Sequence, residues 1–212
     1  MNLTSVTKKT KAEQAHDIIE LAIVNCELAP GAVYSEADLA EILDMGRTPV
    51  REALVKLSSE NLVRLTRAGV VIPEINPLTM LKLLELREPI ERLCIQKACE
   101  YQTPSDRARF EQILNQLKPL PDDDRRGFME LLREIHLATA DASKNEFLHF
   151  TLKSTQGLSR RFWFHFAEDT DQAFCREIYS DLLDALIQGQ SDKAIEKSQA
   201  LMVYLRDFSR QR

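Results

Sequence analysis

The apolar spacing of this chain changes character twice, near Asn61 and again near Pro73. Ahead of Asn61 the apolar residues recur every three or four positions, the period of a helix with one buried face. Between the two breaks lie two short β-prone runs, Leu62–Thr66 and Val70–Ile72, with Arg67-Ala68-Gly69 between them as a turn. Beyond residue 77 the pattern is helical only. A chain with a single small hairpin cannot build a β-sandwich, nor the alternating strands and helices of a parallel sheet. The spacing predicts a mostly α chain: a winged helix-turn-helix followed by an all-helical (six-helix) bundle.

The first helix is expected over Ala12–Leu28, with Ala15, Ile18, Ile19, Ala22, Ile23 and Cys26 on its apolar face, and Pro30-Gly31 after it. Ser35 is a good N-cap for a short second helix, with Asp38 at its third position. Asp44-Met45-Gly46 turns, and Thr48-Pro49 opens a third helix whose buried stripe is Val50, Ala53, Leu54 and Leu57. Residues 73–77 form the boundary, giving a winged helix-turn-helix domain over 1–73 and a helical domain over 78–212. Within the latter, helices are expected over 78–101, 103–117, 125–141, 145–167, 171–188 and 192–209. Pro89 lies inside the first of these and should kink or divide it.

The chain has 212 residues, 44% of them apolar, enough for a sizeable core. No apolar stretch is long enough to span a membrane, and Met1–Lys11 has no secretory h-region, so a cytoplasmic protein without a membrane partner is expected. Cys26, Cys94, Cys99 and Cys175 lack metal-ligand or redox spacing and read as small buried hydrophobes. There is no Gly-rich phosphate loop, GxSxG, HExxH or Cys placed beside a His, which speaks against an enzyme.

The net charge of −5 hides a local exception. Between Arg47 and Arg67 five basic residues (Arg47, Arg51, Lys56, Arg64, Arg67) face only Glu52 and Glu60, a local excess of +3. Arg47 and Arg51 are one turn apart, on the face opposite the apolar stripe. Arg and Thr in the first turns of a helix with a buried back suit entry into a DNA major groove, where Arg reads guanine in bidentate fashion. An ordinary solvated helix face has the same spacing.

The whole stretch from about residue 12 to 73, with Leu39-Ala40, Arg47-Thr48-Pro49-Val50-Arg51-Glu52-Ala53-Leu54, Leu57, Leu62-Val63 and the Gly69 hairpin, closely resembles the head of GntR-family transcription regulators. That resemblance implies operator contacts by Arg47, Thr48 and Arg51, and a wing tip, Arg67 to Gly69, reaching toward the minor groove. The chain departs from the family at Gly46, where a Ser or Thr is usual, and at Ala37, where some members carry Arg. The helical part resembles the effector domain of the FadR-type branch (the FCD domain). Arg87-Glu88-Pro89-Ile90-Glu91 carries its opening Arg and Glu, and Ala185, Gly189 and Ala194 match its penultimate loop. The short length fits the six-helix VanR-like subgroup.

Many effector domains of that branch hold a divalent metal with one Asp and three His. Here the resemblance places His136 at the first His, Leu132 at the Asp, and Tyr179 and Tyr204 at the other two. One ligand of four does not make a first shell, so no metal cofactor is expected. Instead Arg87, His136, Tyr179 and Tyr204 are expected to bind a small effector, carboxylated or aromatic. The family implies a homodimer, probing a near-palindromic double-stranded DNA operator and acting most often as a repressor. The alternative is a DNA-binding protein whose helical domain only dimerises or docks a partner. Arg160–Phe166 holds the sole Trp and three Phe, which read either as core or as a pocket wall or dimer seam; Arg160 and Arg161 read as solvated. His16 and His149 read as surface or packing residues.

Overall fold

The computed structural model of the chain describes residues 9–212. The stretch read as signal-free falls largely on residues 1–8, outside the described residues. Two compact units emerge, Met1–Glu74 and Ile75–Arg212.

In the first unit, helix α1 (Lys11–Val24) starts in a capping box made by Thr10 and Glu13, and α2 (Glu36–Ile42) in another made by Ser35 and Asp38. Each box satisfies two N–H groups that a helix start leaves without partners. Asp44, at φ +49°, turns the chain into α3 (Arg47–Ser59). Val50, Ala53, Leu54 and Leu57 are fully buried and seat α3 against α1. The hairpin strands are β2 (Arg64–Thr66) and β3 (Gly69–Val71). One strand escapes the sequence reading. β1 (Val33–Tyr34) pairs antiparallel with β3, Val33 opposite Val71 and Tyr34 opposite Val70, so the sheet order is β1-β3-β2. Two residues are too few for an alternating pattern to show. The architecture is a winged helix-turn-helix.

The second unit holds six helices among the described residues: α4 (Pro77–Tyr101), α5 (Pro104–Leu117), α6 (Arg125–Ala142), α7 (Glu146–Phe166), α8 (Asp169–Ile187) and α9 (Ser191–Arg210). Asn76 caps α4, its side chain accepting from the Leu78 N–H at 2.8 Å, and Pro77 occupies the first turn, where its missing N–H costs nothing. Of the two expected effects of Pro89, division does not occur: α4 runs unbroken for 25 residues. Pro89 sits on the exposed side, where water serves the carbonyl it leaves unpaired, while packing against α9, α7 and α6 holds the rest of the helix. Phe128 and Trp163 pack with ring centroids 5.2 Å apart at the centre of the bundle.

Candidate functional site

In the first unit α3 presents Arg47, Thr48 and Arg51 to solvent, all exposed, while Val50, Ala53, Leu54 and Leu57 face the core. Arg51 Nε stands 4.0 Å from Glu36 Oε1, too long and too open to tie the guanidinium down. Gly46 caps α3 with no side-chain hydrogen bond, so the first turn keeps backbone N–H groups directed outward. Arg67 is exposed at the tip of the β2–β3 hairpin, whose turn is closed by the Thr66 hydroxyl, donating to the Gly69 carbonyl at 3.0 Å. Gly69 has a role in the fold itself. Its φ is +132°, and a Cβ there would stand 2.5 Å from the Tyr34 carbonyl oxygen of β1. The close approach of β1 therefore requires glycine at this position.

In the second unit the structure brings three of the four expected effector residues together. Arg87, His136 and Tyr179 line one small cavity with Phe128, Leu132 and Gln156, and its free space is about 20 Å³. A second small cavity, lined by Glu91, Cys94, Thr139 and Leu182 among others, shares His136 and Tyr179 as wall. The Tyr179 hydroxyl and His136 Nε2 stand 3.4 Å apart and so separate the two spaces. Burial holds the His136 imidazole down to about pKa 3, neutral at physiological pH, and burial also pushes the Tyr179 phenol up.

Arg87 is 1% exposed, and its charge is already used. Its Nε donates to Glu91 Oε1 at 2.8 Å, one helical turn on, and Nη1 donates to the Ser159 hydroxyl. Glu91 also accepts from Gln156 Nε2 at 2.8 Å and from the Ser198 hydroxyl at 3.4 Å. Burial alone would raise the Glu91 pKa; the Arg87 charge and these hydrogen bonds outweigh it and hold the carboxyl below its ordinary value. Gln156 is left with Oε1 buried and without a partner at the cavity wall. Sequence reasoning missed Gln156 and Ser159, which lie on α7 with no motif to mark them.

The structure does not bring Tyr204 to these three. Its hydroxyl donates to Asp171 Oδ1 at 2.8 Å, and its ring stacks on Phe208 with centroids 5.6 Å apart. On α9 the cavity is lined by Leu201 and Leu205, so the inward position falls one residue after Tyr204. Nor do Arg160 and Arg161 lie in solvent: they are 3% and 2% exposed, within the core of the bundle. Phe162 and Trp163 are buried inside the chain, which takes them out of any seam between copies, whereas His165 is exposed. His149 is part-buried against Asp141 at 2.8 Å, and His16 is buried beside Glu60. The family's metal set does not fit here. Leu132 offers no lone pair, and a neutral phenol at Tyr179 is a poor donor beside a single imidazole.

Comparison with known proteins agrees with this architecture. Residues 82–203 match the FCD domain, and residues 11–72 match the bacterial regulatory proteins of the gntR family. The chain is 32% identical over 110 residues to the HTH-type transcriptional regulator McbR of Escherichia coli, covering 51% of this chain and 48% of McbR. It is 29% identical over 142 residues to the Nta operon transcriptional regulator of Aminobacter aminovorans, 66% of each chain. Identity to LutR of Bacillus subtilis is 28% over 196 residues, 81% of this chain and 89% of LutR. The match thus spans about half the length of McbR. Among solved structures, E. coli McbR/YncC superposes with a TM-score of 0.81 at 23% identity, over 96% of this chain and 99% of that one. A regulator from Rhodococcus sp. RHA1 gives 0.70 at 23% identity, over 96% and 97%. Among the described residues no helix is long and apolar enough to cross a membrane. With a gntR-type winged helix at one end and an FCD domain over most of the remainder, the chain belongs to the GntR family of bacterial transcription regulators, in its FCD-domain branch.

Proposed function

We propose that this chain is a cytoplasmic repressor that binds a near-palindromic DNA operator as a homodimer and releases it when a small effector enters the helical domain. Residues 1–73 bind DNA and residues 78–212 dimerise and sense. The observation that carries the reading is the exposed row Arg47, Thr48 and Arg51 on α3, whose Val50, Ala53, Leu54 and Leu57 are fully buried. Such a helix is held firmly from behind and offers its first turns to a groove. Arg67 at the hairpin tip adds a cation for the minor groove, and Gly69 serves the wing by shaping it.

For the effector, the aromatic half of the expectation is better supported than the carboxylate half. The cavity walls include Phe128, Trp163 and Tyr179. A carboxylate would have to draw Arg87 away from Glu91 and leave that carboxylate buried and unpaired, which is costly. Gln156 Oε1 is an acceptor that an aromatic ligand carrying an N–H or O–H would satisfy.

The test is DNA binding by Arg51→Ala, measured on an operator selected from genomic fragments. Loss of one bidentate base contact should weaken specific binding by about 1–3 kcal/mol and relax base preference at one position per half-site. Wild-type affinity and selectivity in Arg51→Ala would overturn the assignment of α3 as the reading helix.

A further inference from the structure

Away from both sites, the first unit holds a buried group of metal-type donors. His16 and Glu20 are one turn apart on α1, 1% and 5% exposed, and Asp17 lies between them, part-buried. One donor atom from each of His16, Asp17 and Glu20 lies within 4.8 Å of the other two. His16 Nδ1 stands 3.3 Å from Asp17 Oδ1. Two ligands at zinc bond lengths of about 2.0–2.1 Å in tetrahedral geometry stand about 3.3 Å apart, the same separation. The far side of the imidazole is also fixed. His16 Nε2 meets Glu60 Oε2 at 2.8 Å, and Glu60, 6% exposed, is the C-cap of α3. A carboxylate on one imidazole nitrogen holds a proton there and fixes the ring, the arrangement that orients metal-binding histidines, and an ion takes the other nitrogen in exchange for its proton. Here the other nitrogen is the one facing Asp17.

We propose that His16, Asp17 and Glu20 form a binding site for a divalent transition cation of the zinc class, with Glu60 orienting His16 from behind. The imidazole, giving up its Nδ1 proton as the ion enters, and two carboxylates supply three protein ligands, and the cation takes the place of the Lys9 ammonium that stands 2.7 Å from Asp17. The remaining position is open to water. A change of rotamer at Glu20 brings its carboxylate the rest of the way. Because Glu60 ends α3 and the three ligands sit on α1, the ion ties the reading helix to the helix it packs on, all within the DNA-binding unit. The Arg87–His136–Tyr179 cavity takes no part.

The probes are Zn²⁺ and Co²⁺ added to the chelator-treated full-length protein. Equilibrium dialysis with elemental analysis should find one tightly held ion per chain. Co²⁺ should give visible d–d absorption of a low-coordinate N/O site. Asp17→Asn, at a part-exposed position that leaves the fold intact, should weaken binding at least tenfold, and His16→Ala should abolish it. Glu60→Gln should weaken it about 10–100-fold, the usual cost of losing an orienting carboxylate. His136→Ala should bind as wild type. Zn²⁺ should raise the unfolding temperature of wild type by mass action and leave that of Asp17→Asn unmoved. Absence of a stoichiometric ion, undiminished binding in Asp17→Asn, or loss of the ion on His136→Ala would each overturn the proposal.

Discussion

Arg87 and Glu91, one turn apart on α4, form a buried ion pair whose two members also hold α7, through Ser159 and Gln156. A buried pair of this kind costs much to break from one side, because the surviving charge is left without solvent.

Glu91→Gln keeps an acceptor for Arg87 but removes the charge. It should destabilise the helical unit at neutral pH by about 3 kcal/mol, the lower end for a broken buried pair. The pH dependence follows from the lowered pKa of Glu91. A depressed folded-state pKa gives stability that is fully present above the unfolded value and is lost as pH falls through the folded one. Denaturant melts of wild type and Glu91→Gln should therefore differ most at pH 7 and converge on acidification below the ordinary glutamate range. A constant gap down to pH 3 would refute the ionic origin.

Gly69→Ala should lower the stability of the head by about 1–3 kcal/mol, since it combines a strained φ with a clash against the Tyr34 carbonyl. Amide exchange should show β1 released from β3. DNA affinity should fall only as far as the head unfolds, so wild-type stability with weakened operator binding would instead make Gly69 a direct contact.

Gly46→Ser should act in the opposite direction. Gly46 has φ −65°, and an added Cβ would meet nothing nearer than Pro49 Cδ at 3.7 Å. A serine hydroxyl would then accept from the first turn of α3, adding a few tenths of a kcal/mol. For a head of this size that is a rise of about 1–3 °C in Tm. An unchanged or lower Tm would show that the hydroxyl finds no N–H.

Assembly is tested at the start of α7, where Phe147 and Phe150 are 74% and 68% exposed. Apolar side chains that open to water, three residues apart on one helix, suit a seam between two copies. Sedimentation of the Phe147→Asp, Phe150→Asp double variant should show a shift from dimer to monomer, with the helical content unchanged by circular dichroism. A dimer of wild-type affinity would place the seam elsewhere.

The helices were legible because they carry sustained apolar periods, and several open on a capping residue, such as Ser35 before α2 and Thr103 before α5. Two-residue β1 carries no period to read, and its presence is betrayed only by the glycine it demands at position 69. Pro89 does not divide α4 because that helix is held by packing against three neighbours as well as by its own hydrogen bonds. In the helical unit, the Arg87 and Glu91 spacing was visible, but not that Glu91 takes up the Arg87 charge, since a charged residue is read as open to ligand or solvent until its partner is seen. The same habit misplaced Arg160 and Arg161. Tyr204 missed by one residue: on a helix one position is a rotation of about 100°, enough to move a side chain from the cavity to the outer face.

The wing and the reading helix differ in how freely they can change. Arg47, Thr48, Arg51 and Arg67 stand in solvent, so substitutions there leave the packing of the head intact. Gly69 has no such freedom, because the backbone of β1 passes where any side chain would go. On the proposed reading, operator preference can be altered through these exposed side chains one at a time without touching the packing, whereas any side chain at position 69 displaces β1.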